Sequence, residues 1–362
     1  MQSPMPLVVI LATGGTIAGT AAAATDTTGY RAGALPVDAL VAGVPALAGQ
    51  RLEAESVAAI DSKDMDAATW QRLARRVALH LARPEVAGIV ITHGTDTLEE
   101  TAYFLQRVLA PSKPVMLTAA MRPATALSAD GPANLHDAVT VAGTPGARGV
   151  GVVFGGAVWA AVGLRKVHTL RTDAFAASDS GPVARLEGGV LRRFRDWPAG
   201  AALRADGGEA PSVDDSGALV VGGSGTLRSD GSGNLSSGRS KALPAAPGEA
   251  LGLVRIEADP DAWPRVEIVL NHAGADGRLV DAAVEAGAAG IVVAGTGHGS
   301  VSVRLAAALE RAREAGVRVA RASRCAFGPV LPHGEADDEA AGELSAVQAR
   351  VELQLALLAE RG

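Results

Sequence analysis

The sequence predicts an α/β fold: a larger N-terminal domain with a mainly parallel sheet flanked by helices, and a smaller α/β domain at the C-terminus. Three observations predict it. Short, largely β-branched apolar runs recur with little alternation, as strands covered on both faces require. Segments of helical period lie between them. A Gly-, Ser- and Asp-rich stretch interrupts the pattern, and 362 residues suit two domains better than one.

The first strand is expected at 7–12, ending in Thr13-Gly14-Gly15-Thr16. Trp70, Leu73, Val77 and Leu81 then follow helical spacing, with Asp64 or Asp66 as the cap. A second strand, 88–92, runs into His93-Gly94-Thr95-Asp96-Thr97, and Leu98, Ala102, Leu105 and Leu109 mark the helix after it. Strands follow at 114–118 and 149–154. These elements form a domain over 1–205. Residues 206–248, richest in Gly, Ser and Asp up to 241, suit a linker or insertion. The C-terminal domain, 249–362, holds strands at 266–270, 290–294 and 317–320, with helices at 281–286, 302–314 and 345–359.

Composition narrows the function. The net charge is −6, with no basic stripe, so a nucleic-acid partner is not expected. Cys325 is the only cysteine, which rules out an intrachain disulfide and suits a reducing compartment. No basic leader followed by its own apolar stretch precedes the first strand. No run of about 18 apolar residues suggests a membrane span. A cytoplasmic protein is therefore expected. The seven histidines show no metal-ligand spacing, and no metal or cofactor is expected.

The chemistry concentrates in the two Gly-Thr turns. Right-handed crossovers place every strand-to-helix turn of a parallel sheet on one edge, where ligands bind at a switch in strand order. Gly14, Gly15 and Gly94 let backbone N–H groups approach a substrate, as an oxyanion hole requires. Thr13, Thr16 and Thr95 supply hydroxyls, and Asp96 a carboxylate. A threonine nucleophile needs a base. His93, His298 and Lys166 all qualify, and spacing does not choose among them. Neither turn has the P-loop pattern, and Gly295-Thr296-Gly297-His298-Gly299 lacks the full spacing of a dinucleotide turn.

Taken together, these runs resemble the bacterial L-asparaginase family. Leu11-Ala12-Thr13-Gly14-Gly15-Thr16-Ile17-Ala18-Gly19 matches its first signature. Ile91 to Thr97, followed by Glu99-Glu100-Thr101-Ala102, matches its second. Ala120-Met121-Arg122-Pro123 and Ser128-Ala129-Asp130-Gly131-Pro132-Ala133-Asn134-Leu135 match as well, and the likeness covers roughly 7–182 and 263–359.

The resemblance implies hydrolysis of L-asparagine to L-aspartate and ammonia through an acyl-enzyme on Thr16. Tyr30 would close over the substrate beside Thr16. The segment 17–35, without a periodic core pattern, would be the closing lid. Thr95, Asp96 and Lys166 would form a second hydroxyl–carboxylate–lysine group in which Lys166 assists proton transfer. Ser62 would hold the substrate α-carboxylate, and Asp96 its α-ammonium. Backbone around Gly15, Gly94 and Thr95 would meet the developing negative charge, and Ala120 would line the amide pocket. Glu335 corresponds to a glutamate lent by a neighbouring subunit. The active unit would then be at least a dimer, and the family suggests a homotetramer made of two dimers.

Two positions depart from the family pattern. Lys63 stands where glutamine or glutamate commonly helps bind the substrate amino group, and a cation there repels an ammonium unless an acid pairs it. Gly274 replaces an asparagine that assists at the subunit boundary in some members. A broader glutaminase-asparaginase is the nearest alternative. A non-catalytic amino-acid sensor is the alternative from another class, but it has no need of a nucleophile and relay.

Overall fold

The computed structural model describes residues 5–177, 179–198, 212–213, 219–220, 243, 250–332 and 339–361. Its first element, β1 (Leu7–Gly14), is buried throughout, as an apolar strand with no polar face must be. A small antiparallel ladder follows, β2 (Thr20–Ala21) with β3 (Tyr30–Arg31), then helix α1 (Val37–Ala42) and strand β4 (Leu52–Ile60). Helix α2 (Ala67–Leu81) leads to β5 (Val86–Thr92), and α3 (Leu98–Leu109) to β6 (Pro114–Thr118). Next come α4 (Gly131–Ala142), β7 (Gly149–Phe154), β8 (Ala157–Ala160), β9 (Leu164–Lys166), β10 (Phe175–Ala177), β11 (Ala184–Glu187) and β12 (Val190–Arg193).

The main sheet runs β12-β11-β8-β7-β6-β5-β1-β4. The five strands from β4 to β7 are parallel, and β8, β11 and β12 extend that sheet antiparallel. The chain leaves β1 for β4 on one side and then returns to β5 on the other. The order therefore switches between β1 and β5, which is where an open α/β sheet presents its crevice. The smaller domain follows β13 (Ser212–Val213) and β14 (Leu219–Val220). It is a four-stranded parallel sheet of β15 (Val266–Leu270), β16 (Gly290–Gly295), β17 (Arg318–Ser323) and β18 (Glu339–Ala340). Helices α5 (Arg278–Glu285), α6 (Val303–Glu314) and α7 (Ala346–Arg361) accompany it.

Several expectations shift at their edges. Asp66, not Asp64, caps α2, its side chain accepting from Thr69 N at 2.8 Å; Asp64 lies in the 3-10 turn before it. The 281–286 helix begins earlier, at Arg278, and the 317–320 strand runs on to Ser323. Elements β2, β3, α1, β4, α4, β8–β14 and β18 have no counterpart among the expected strands and helices. Most of 206–248, expected to be a linker or insertion, lies outside the described residues. The two domains share one apolar core: Trp70 stacks on Phe104 at 4.8 Å, and Phe104 meets Trp263 at 6.2 Å, in a cluster that also takes in Leu353 of α7.

Candidate active site

The ends of β1 and β5 bring the two Gly-Thr turns into contact. Thr13 Oγ1 donates to Thr92 O at 3.0 Å, fastening one turn to the other. Gly15 has φ 81°, and a Cβ there would collide with the backbone of His93 and Gly94. A Cβ on Gly94 would in turn overlap the Ser62 hydroxyl. Only glycine at both positions lets the three segments meet.

Thr16 is buried in a short 3-10 turn, Thr16–Ala18, and its hydroxyl lies 2.6 Å from that of Tyr30. The β2–β3 ladder carries Tyr30 there. Gly33 N donates to Gly15 O at 3.0 Å and Leu35 N to Ala18 O at 2.9 Å, so segment 17–35 is folded down over Thr16. At the second turn, Lys166 Nζ donates to Thr95 Oγ1 at 2.9 Å and to Asp96 Oδ1 at 2.6 Å. Ser62 is buried beside them. Its hydroxyl accepts Asp96 N at 3.2 Å and its carbonyl accepts Thr97 Oγ1 at 2.7 Å. Because that oxygen is used as an acceptor, the Ser62 hydroxyl hydrogen remains for an outside carboxylate. Asp96 and Lys166 line a cleft of about 420 Å³ with Val167, His168 and Thr169.

Ala120 is buried just beyond β6. The loop that bears it is braced by Asp130, which accepts Met121 N at 2.9 Å and Arg122 N at 3.0 Å. Asn134 adds a bond from its amide to Ala119 O at 2.9 Å and accepts Gly155 N at 3.0 Å. These bonds give the Ser128 to Leu135 run its physical meaning: it is scaffolding for the Ala120 loop.

Other expectations are corrected. The Gly15 N–H donates to Ile60 O at 2.9 Å, so it is spent and cannot serve developing negative charge. Among the described residues no acceptor engages the N–H groups of Gly94 or Thr95, which leaves those two donors. Lys63 does not join the group. Its side chain is 61% exposed, and its ammonium bonds the Asp61 carboxylate and lies 3.7 Å from Asp64. Paired in this way, it is not the bare cation that would repel a substrate amine. Glu335 lies outside the described residues.

The histidines also resolve. His93 is fully buried, its Nδ1 2.7 Å from Gly94 O and its Nε2 3.0 Å from Thr101 Oγ1, and burial pulls its pKa down to about 4. It is a neutral brace, not the general base. His298 Nε2 accepts Leu331 N at 2.8 Å. The Gly295–Gly299 turn is closed by two backbone bonds of 2.8 Å between Thr296 and Ser300, a tight turn with no phosphate cradle. Among the described residues no group of three or more His, Cys, Asp and Glu could hold a metal ion, and no helix is long and apolar enough to cross a membrane.

Sequence reasoning gave no role to Glu99, a buried carboxylate whose oxygen accepts the backbone N–H of Lys166. The available signal was a charged residue beside Leu98 and Ala102, at a helical position that points inward.

Comparison with known proteins agrees with this geometry. The family description "Asparaginase, N-terminal" matches residues 7–198, and "Glutaminase/Asparaginase C-terminal domain" matches 265–361. L-asparaginase 2 of Bacillus subtilis is 35% identical, covering 98% of this chain and 84% of that protein. The glutaminase-asparaginase of Pseudomonas fluorescens biotype A is 35% identical over 97% and 86%. A crystal structure described as a probable cytoplasmic L-asparaginase from Campylobacter jejuni matches with a TM-score of 0.79 and 33% identity, covering 97% of this chain and 95% of that one. With both domain descriptions matched in order and such relatives along nearly its whole length, the chain belongs to the bacterial L-asparaginase family of amidohydrolases.

Proposed function

We propose that the protein hydrolyses L-asparagine to L-aspartate and ammonia, with Thr16 as the nucleophile. The observation that carries this is the pairing at one sheet edge of a buried, Tyr30-bonded hydroxyl with a lysine held between Thr95 and Asp96. Thr16 Oγ1 attacks the side-chain amide carbon. Its proton passes to the Tyr30 oxygen as the Tyr30 hydroxyl hands its own proton on to solvent, and the Gly94 and Thr95 N–H groups meet the developing oxyanion. Ammonia departs with a proton delivered through the Thr95–Lys166–Asp96 group, leaving an ester on Thr16. Water then attacks the ester, its proton returning to the Thr95–Lys166–Asp96 group, and Thr16 Oγ1 regains a proton through Tyr30 as aspartate is released. The Ser62 hydroxyl binds the α-carboxylate and Asp96 the α-ammonium. Segment 17–35 opens to admit substrate and closes to bring Tyr30 to Thr16.

The chain divides at 1–205, 206–248 and 249–362. The working unit is a homotetramer of two dimers, in which Glu335 of the partner subunit completes each site. The single cysteine and a relative described as a probable cytoplasmic enzyme support the cytoplasm as its compartment.

A second reading, a broader glutaminase-asparaginase, is favoured by one observation. Relatives bearing that name are as similar to this chain as those named L-asparaginase. One methylene discriminates by only about 1–3 kcal/mol in a pocket.

The test is ammonia release from both amides by wild type and Thr16→Ala. The first reading expects asparagine to exceed glutamine in kcat/KM by about tenfold or more. It also expects Thr16→Ala to lose at least about a thousandfold in kcat while staying folded. Comparable values for the two amides favour the broader enzyme. Binding of asparagine by wild type without ammonia release makes the protein a sensor, and full activity in Thr16→Ala removes the nucleophile.

A further inference from the structure

Glu99 stands outside the chemistry just described, yet it touches the relay from below. It sits in the first turn of α3, three residues beyond Asp96, and is only 8% exposed. Its carboxylate accepts the backbone N–H of Lys166, at the end of β9. Strand β9 is three residues long, and its ladder partner is β10 alone, outside the main sheet. The segment carrying the relay lysine thus has little sheet to hold it. The Glu99 backbone carbonyl is itself held, accepting from the Gln348 side chain of α7 at 3.2 Å. That same amide donates to Ala161 O at 2.8 Å and accepts Gly163 N at 3.0 Å, just before β9.

We propose that Glu99 is a positioning residue. It ties the main chain of Lys166 to the head of α3, directly after the turn that carries Thr95 and Asp96, and so sets the spacing between the lysine and its two partners. This rests on the reading of Lys166 as a catalytic relay.

The charge on Glu99 matters to the tie. A carboxylate accepts an N–H more strongly than a neutral carboxyl does. The groups facing it are Glu100 on its own helix, Arg165 and the Lys166 N–H on β9, and the Ser345 hydroxyl at the head of α7. Arg165 is already engaged with Cys325 O at 2.6 Å and Glu343 O at 3.3 Å. Burial outweighs these partners and raises the carboxyl to about 7. Glu99 is then protonated in mild acid and ionised above neutrality. The tie is weaker at low pH and tightens as pH rises through about 7.

The experiment measures kcat and KM for asparagine from pH 5.5 to 8.5 in wild type, Glu99→Gln, Glu99→Ala and Lys166→Ala, with thermal melts of each. Glu99→Gln keeps a neutral acceptor of the same shape. The wild-type to Glu99→Gln ratio of kcat is expected near one at pH 5.5 and about fivefold at pH 8.5. Glu99→Ala is expected to lose about tenfold or more in kcat at pH 8.5, with KM within about twofold and Glu99→Gln recovering most of the loss. A kcat in Glu99→Ala equal to wild type overturns the proposal. So does a kcat ratio that does not change with pH in a Glu99→Gln protein that melts like wild type. If Lys166→Ala stays fully active, the relay reading itself fails. If Lys166→Ala is dead while Glu99→Ala is unaffected, only the positioning role falls.

Discussion

His93 carries its proton in a pattern fixed by its neighbours. A backbone carbonyl can only accept, so the Nδ1 facing Gly94 O bears the hydrogen. Neutral imidazole then leaves Nε2 as an acceptor for the Thr101 hydroxyl. That hydroxyl in turn accepts from Trp70 Nε1 at 2.9 Å. The chain from Trp70 through Thr101 and His93 to Gly94 O fixes the carbonyl at the turn that presents Thr95. Protonating His93 would put a second hydrogen where the Thr101 hydrogen already points, inside a site with no water-facing surface. A stability signature follows. The folded pKa of about 4 lies below the ordinary 6.5, so the unfolded chain takes up a proton first as pH falls. The contribution of His93 is complete above about 6.5 and is lost between there and 4. Urea unfolding at pH 7 and pH 5 should show wild type losing about 2 kcal/mol more than His93→Asn from this term. An equal acid loss in both proteins would mean the imidazole is not held neutral.

At the level of elements, the two Gly-Thr turns behave as one interlocked piece. A Cβ on Gly94 would also lie 2.8 Å from Ser62 Cβ, so Gly94→Ala must push the Ser62 turn away. Gly15→Ala meets rigid backbone and an unfavourable φ besides. Gly94→Ala should cost about 1–3 kcal/mol of stability and most of the activity, and Gly15→Ala more of both. Thermal melts alongside ammonia release check this. A fully active Gly15→Ala would show that the turns need not touch. The strands that carry these turns were legible because β1, β5, β6 and β7 are continuous apolar runs in the interior of the main sheet, each with a strand on both sides. Strand β4 was not, because it is the sheet edge. It reads Leu-Glu-Ala-Glu-Ser-Val-Ala-Ala-Ile, and most of its residues are partly or fully exposed. Helix α4 opens on Gly131-Pro132 and has a weak apolar stripe, which hid it. The same strand logic placed Thr16 and Thr95 on one edge. It could not place Tyr30 or Lys166, whose short ladders are set by turns rather than by apolar period.

Across the whole molecule, the larger and smaller domains are joined by a buried polar clamp as well as by shared core. Glu352 of α7 is fully buried. It accepts Arg107 Nε at 2.7 Å and Arg107 Nη2 at 3.0 Å, with the Tyr103 hydroxyl donating at 2.9 Å. Burial, helped by the Glu352 charge, holds the Tyr103 hydroxyl well above its usual pKa, so it stays a donor. No local pattern announces a pairing across about 245 residues of sequence; only the fold brings α3 and α7 together. The clamp's net contribution to stability is small, since burying the ions offsets most of their attraction, but removing one ion leaves the other buried without its counter-charge. Glu352→Ala leaves Arg107, 15% exposed, without its carboxylate. It should lower unfolding free energy by about 3–5 kcal/mol, whereas the Glu352→Gln, Arg107→Gln pair should restore part of that. Helix α7 also carries Gln348, which bonds Glu99 O and Gly163 N beside the relay. A loosened α7 should therefore lower kcat in Glu352→Ala as well as the urea midpoint, at temperatures where the protein is still folded. If the midpoint falls and kcat does not, the smaller domain supports the fold through this clamp without tuning the site.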